Sequence, residues 1–297
     1  MASALAAAGQ IAVEVVMEQE QFLREESVPV KVRITNRSGQ ALRLGTDNDW
    51  LSFAIESLDG AVVSKVAEVP VTGAFVLESA HVATRQVDLM PGFDLTQAGR
   101  YTVTATVRIK EWNEETASKP KSFEVVRGTK LWEQEFGLPT AAGPPEVRKY
   151  VLQQASYRKQ LKLYLRLTDA SDSKVFRVFP VGPLVSFSRP EAQVDQSSFL
   201  HLLFQTGARS FLFQVLSPDG DVVLRQSYDY TATRPVLRAN DEGRIYVAGG
   251  VRRPTAGDIP APLPSEMTSP PVPADPSSPT NRTGGVRSQK DAKTPKK

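Results

Sequence analysis

Tyr101-Thr102-Val103-Thr104-Ala105-Thr106-Val107-Arg108-Ile109 alternates apolar and polar side chains without a break. Successive side chains of a strand point to opposite faces, so the stretch predicts a β-strand with one buried face. The residues before it, Asp94-Leu95-Thr96-Gln97-Ala98-Gly99-Arg100, form a loop that closes on a glycine one residue short of the tyrosine. That spacing matches a tyrosine corner, in which the phenol bonds back to loop backbone and fixes the crossover between two sheets. Asp94, Gly99 and Tyr101 are therefore read as structural residues of an antiparallel sandwich.

The same alternation extends outward in both directions. Val28, Val30, Val32 and Ile34 point one way, and Lys31, Arg33 and Thr35 the other. Leu51, Phe53 and Ile55 repeat the pattern before an Asp59-Gly60 turn, and Phe123 to Val126 closes the unit. The run Glu26-Ser27-Val28-Pro29-Val30-Lys31-Val32-Arg33-Ile34-Thr35-Asn36 and the corner at Tyr101 resemble bacterial immunoglobulin-like domains, macroglobulin-type modules and a small bacterial proteinase-inhibitor domain among them. The resemblance covers about residues 11–127. It implies an immunoglobulin-like β-sandwich, and such sandwiches host many roles.

Residues 128–149 carry Gly128, Gly137, Pro139, Gly143, Pro144 and Pro145, which is the chemistry of a linker. Leu131, Trp132 and Phe136 interrupt it and are expected to pack between domains. Residues 145–158 read as strand or irregular structure rather than a short helix. A second β-rich domain is expected over 150–253, from the alternation at Leu161, Leu163, Leu165 and Leu167 and from later apolar runs. Leu163–Gly182 and His201–Gly220 look like a weak internal repeat. Gly243-Arg244-Ile245-Tyr246-Val247-Ala248-Gly249-Gly250 resembles the double-glycine strand of a kelch blade. The domain is too short for a closed propeller of four or more blades. The expected fold class is thus all-β: an N-terminal sandwich, then a second antiparallel module that is propeller-blade-like or a sandwich, then a tail.

That tail, 254–297, holds 10 of the 22 prolines and almost no large apolar side chains, a composition expected to stay disordered. Residues 252–297 carry 8 basic and 4 acidic side chains, so the net charge of +3 resides there and the remainder is near neutral. Bulk charge gives the folded part no specific nucleic-acid partner. No run reaches the ~20 apolar residues of a membrane span. The Ala-rich residues 1–10 read either as a signal-peptide remnant or as a frayed terminus.

The chain has no cysteine and two histidines, His81 and His201. Thiolate chemistry is excluded, and His201, set in an apolar run, is read as a structural side chain. Asp47 and Asp49 are weak metal candidates, because alternating oxygen ligands suit Ca²⁺; as turn residues they need no such role. Asp47, Asn48 and Trp50 are also candidate binding-loop residues, within Arg43–Trp50, and Met90–Gly99 is a second such loop. No P-loop, dinucleotide fingerprint, nucleophile elbow or zinc-protease motif is present. No cofactor and no catalytic residue is expected. The functional expectation is a non-enzymatic bacterial envelope or secreted protein that binds protein or cell-envelope polymer. The alternatives are a proteinase inhibitor through the first domain, or a carbohydrate-active enzyme through the second. The expected location is periplasmic or secreted, with the cytoplasm as alternative, and oligomeric state stays open.

Overall fold

The computed structural model describes residues 10–139, 143–158 and 160–260. The segment 1–9, which includes nearly all of the signal-like stretch, and the Pro-rich, basic residues 261–297 lie outside the described residues.

The first module is a sandwich of two main sheets. One sheet runs β1 (Ile11–Val16), β3 (Pro29–Asn36), β7 (Val82–Asp88). The other runs β2 (Gln21–Leu23), β10 (Lys121–Val126), β8 (Gly99–Ile109), β5 (Leu51–Ser57), with β9 (Glu114–Ala117) also on β8. A small separate ribbon, β4 (Leu42–Leu44) with β6 (Phe75–Leu77), adds Leu42, Leu44 and Leu77 to the core they share. All these pairs are antiparallel except β2 with β10, which is parallel. The alternation seen in the sequence becomes burial. Val30, Val32, Ile34, Val103, Ala105 and Val107 are fully buried, and Tyr101, Leu51, Phe22 and Trp50 join them in one core. Asn36 is also fully buried. Its amide donates to the carbonyls of Gln40 and Leu77, and its Oδ1 accepts from the backbone N–H and hydroxyl of Ser38. A buried amide is tolerable only when its bonds are made in this way.

The second module begins earlier than its composition suggests. Residues read as linker form β11 (Thr129–Leu138), which pairs along its length with β12 (Glu146–Tyr157). The glycine and prolines punctuate a hairpin, and only Arg127-Gly128 separates β10 from β11. Phe136 stacks on Tyr150 at 4.2 Å, and Leu131 and Trp132 pack on the same core. These aromatics therefore fill the second module and do not lie between modules. β12 continues into β13 (Gln160–Asp169) and β14 (Val175–Leu184), giving the sheet order β11-β12-β13-β14. β14 sits at the edge, where Pro180 and Pro183 interrupt no ladder on their open side.

A second sheet follows: β15 (Glu191–Val194), β16 (Leu200–Gln205), β17 (Ser210–Leu216), β18 (Val222–Asp229) and finally β21 (Val251–Arg252). The two sheets share a core of Tyr150, Leu152, Leu163, Leu165, Leu167, Leu200, Leu202, Phe204 and Leu216, so the module is a sandwich of two up-and-down meanders. The weak repeat corresponds to the β13–β14 and β16–β17 hairpins. These are the third and fourth strands of one meander and the second and third of the other, so the similarity does not match sheet to sheet. The kelch-like segment forms β20 (Ile245–Ala248), which pairs only with β19 (Val236–Ala239). Its two glycines, both at positive φ, turn the chain toward β21 and close no blade. This hairpin covers the outer face of the second sheet, where Leu203, Phe211, Phe213 and Leu224 pack with Leu237. Residues 254–260, assigned to the tail by composition, return to β18, with Ile259 and Arg225 exchanging two backbone hydrogen bonds.

The two modules meet in a buried joint. Leu23 and Val126 pack against Ala155, Tyr164, Val178 and Val175. Arg166 donates to Glu25 at 2.8 Å, and Arg158 reaches Glu20 at 3.3 Å. Tyr164 is 1 % exposed although it lies on the strand face opposite Leu163 and Leu165. β13 is thus covered on both faces, by the sister sheet on one and by the first module on the other. Glu26 lies beside this joint, 5 % exposed, and accepts from the Leu23 N–H at 2.6 Å and from the Gln19 amide at 3.2 Å. Burial pushes its carboxyl up to about 7, against the lowering effect of those bonds and of Lys162.

Candidate functional site

β5 pairs with β8 so that Leu51 faces Val107 and Ser57 faces Tyr101. The two candidate loops, Arg43–Trp50 and Met90–Gly99, therefore lie at opposite ends of the first sandwich. The Met90–Gly99 end is where the second module attaches, since Val125 pairs with Gly99 just before the chain crosses over. The Arg43–Trp50 loop occupies the free end.

At that free end Gly45 takes φ +80°, and a Cβ there would lie 2.4 Å from the Gly73 carbonyl. This close approach holds the start of the loop against the segment before β6, and two ion pairs tie its end to β8 and the turn after it. Asp49 pairs with Arg108 at 2.6 Å and Asp47 with Lys110 at 3.2 Å. Asn48 is exposed at the tip. Trp50 is not a surface residue, contrary to the binding-loop reading. It is 3 % exposed, its indole N–H donates to the Val71 carbonyl at 2.7 Å, and it meets Phe75 edge-on. A tryptophan after an acidic turn gives no sign of which face it takes; the loop places it under the turn. Arg43, Thr46, Asp47, Asp49, Arg108 and Lys110 surround a cleft of about 130 Å³ with Trp50 at its base. As for a cation, each carboxylate of the pair already faces a basic side chain, and a Ca²⁺ ion would have to displace both. No group of three or more candidate metal ligands occurs among the described residues.

At the attached end, the Tyr101 hydroxyl donates to the Gln97 carbonyl at 2.7 Å, the bond that defines a tyrosine corner. Burial raises the phenol's pKa, helped by the charges of Asp94 and Asp59. Asp94 shapes the loop by accepting from the hydroxyl and N–H of Thr96, and the hydroxyl bond chiefly holds its carboxyl below the usual range. Gly99 packs against Asp59, which accepts from the Arg100 N–H at 2.7 Å.

The two histidines differ. His81 is exposed beside the Ser79 carbonyl. His201 Nε2 lies 2.8 Å from Asp195 Oδ2, and its ring stacks on Phe213. Asp195 also accepts from the N–H groups of Ser197 and Phe199. Asp195 was visible in the sequence only as one scattered carboxylate; a turn of six residues brings it to the histidine. His201 Nδ1 is buried without a partner. This pair lines neither the free-end cleft nor the larger open groove of about 510 Å³ at Gln160, Leu161, Pro183, Leu184, Ser186 and Thr206, which carries no titratable side chain.

No family model and no curated protein matches the chain. Among solved structures, the sporulation control protein Spo0M from Bacillus subtilis is similar over 58 % of this chain and 89 % of its own, at 10 % identity and a TM-score of 0.29. A likeness at that level carries no argument about function. No described helix is long and apolar enough to cross a membrane.

Proposed function

We propose that the chain is a non-enzymatic binding and scaffold protein of the bacterial envelope or secreted space, which engages protein or envelope polymer through the free end of its first sandwich. One observation carries the reading: the Arg43–Trp50 loop and the β8–β9 turn form a small, charged cleft at the end left open by the second module. Its volume of about 130 Å³ is below the ~300–1,000 Å³ of ordinary small-molecule sites. It suits one polar group projecting from a larger partner. Arg43 makes no ion pair among the described residues and is the side chain free to meet that group.

The parallel β2–β10 pairing and the tyrosine corner support an immunoglobulin-like reading of this sandwich, a fold that often binds through end loops. The second module serves as a platform, since its buried joint fixes the first sandwich in place. The test is retention of the purified chain on an isolated envelope fraction, with Arg43→Glu/Lys110→Glu as the comparison. Retention by the wild type and loss in the variant support the reading; equal behaviour of the two overturns it.

A further inference from the structure

We infer that the joint between the modules is a second binding site, one for a phosphate-type oxyanion seated among Arg24, Arg127 and Arg166. A cleft of about 250 Å³ opens there, and Leu23, Glu25, Gly128 and Gln153 complete its lining. Arg166 is offset by Glu25 and Asp172, so the uncompensated positive charge of the wall is that of Arg24 and Arg127.

The placement follows from the fold. The Arg24 N–H donates to the Val126 carbonyl at 3.1 Å, so the ends of β2 and β10 run side by side and carry Arg24 and Arg127 to the same rim. Arg166 reaches the cleft from β13, across the joint. Its Nε holds Glu25 at 2.8 Å and its Nη1 holds Asp172 at 3.0 Å, which locks the guanidinium. Gly128 lets the modules approach this closely. A Cβ there would stand 3.0 Å from both the Gln153 Cβ and the Leu23 Cδ1.

A further feature points to a ligand. Arg24 and Arg127 are exposed and make no side-chain hydrogen bond or ion pair among the described residues, and the one carboxylate of the lining, Glu25, is held by Arg166. Asp94 senses the charge of Arg24, but its carboxyl is taken by Thr96. Glu25 takes φ +66° in the tight turn closed by the Glu26 N–H to the Leu23 carbonyl, which follows β2 at the edge of the cleft. The free forks of Arg24 and Arg127 come from two backbone positions and can engage different oxygens of a tetrahedral oxyanion, while Arg166, already held by Glu25 and Asp172, adds its charge. Free phosphate and a phosphate ester on a larger molecule present the same oxygens.

The experiment is calorimetric titration of the full chain with inorganic phosphate, glycerol phosphate and acetate at constant ionic strength. It compares wild type, Arg24→Gln/Arg127→Gln and, at the far end of the first module, Arg43→Gln. The expected result is saturable binding of at least one phosphate compound, weaker binding of acetate, and a tenfold or greater loss in the double variant alone. Preference for inorganic phosphate identifies the free ion, and preference for glycerol phosphate identifies an ester. The inference is overturned if neither phosphate compound binds saturably, if the double variant binds as wild type does, or if Arg43→Gln weakens binding equally, which would mark a bulk-charge effect. Both arginines are exposed, so an unchanged circular dichroism spectrum is expected. The site lies at the opposite end from the Arg43 cleft, so either can fail without the other.

Discussion

Replacing Glu26 by glutamine should make the protein more stable at neutral and alkaline pH, and the size of the gain should depend on pH. The carboxyl has an ordinary value of 4.5 and is pushed to about 7 in the fold, chiefly by burial. Between those values the folded state holds a proton that the unfolded state has released, so stability falls as pH rises. The contribution is fully present below pH 4.5, is lost as pH climbs through 7, and levels off above. A shift of about 2.5 units at ~1.4 kcal/mol each is worth about 3 kcal/mol. Glutamine keeps an acceptor for the Leu23 N–H and gives up only the 3.2 Å contact with the Gln19 amide, which stays bonded to the Gln21 carbonyl. The variant should therefore match wild type near pH 4 and exceed it by about 3 kcal/mol at pH 8. In a unit of this size that corresponds to a melting shift of roughly 6–12 °C. Urea denaturation of both proteins at half-unit steps from pH 4 to 8.5 measures it. A difference independent of pH, or a wild-type stability that rises from pH 5 to 7 relative to the variant, would refute the reasoning.

Three other outcomes follow from the same geometry. Tyr101→Phe removes one hydrogen bond from a buried phenol to the Gln97 carbonyl, and the urea midpoint should fall by the equivalent of about 1 kcal/mol with an unchanged slope. Leu23→Ala empties a buried position at the joint and should cost about 2–5 kcal/mol; limited trypsin digestion should then cut after Arg127 faster than in wild type. Millimolar Ca²⁺ should leave Trp50 emission unchanged, because Asp47 and Asp49 are already paired with Lys110 and Arg108; a saturable change in fluorescence would restore them as cation ligands.

The sandwich was legible where one strand face is buried and the other wet. The run from Tyr101 to Ile109, and Val30 to Ile34, announce themselves because the pleat converts period-two alternation directly into burial. Legibility fails where both faces are covered. Tyr164 reads as outward from its place between Leu163 and Leu165, yet it seals the joint, and nothing local signals a second module packing against that face. The stretch from Gly128 to Pro145 misled for a related reason. Its glycines and prolines belong to a hairpin whose strand β11 has few buried side chains, so composition outweighed a weak alternation. The candidate site was half legible. The Arg43–Trp50 loop stands at an open end, but Trp50 is core, and the cations that engage the two aspartates come from β8 and the turn after it, some 60 residues away in sequence. The arginines at the joint were invisible for the same reason, since Arg24 and Arg127 follow the ends of β2 and β10 and Arg166 comes from β13.

The most direct test of the binding account is retention of the purified chain on isolated envelope from the producing cells. Wild type should be retained, while the folded Arg43→Glu/Lys110→Glu variant should pass through. A wild-type chain that passes through, or a variant retained equally well, would contradict the claim that the free end of the first sandwich is the binding surface.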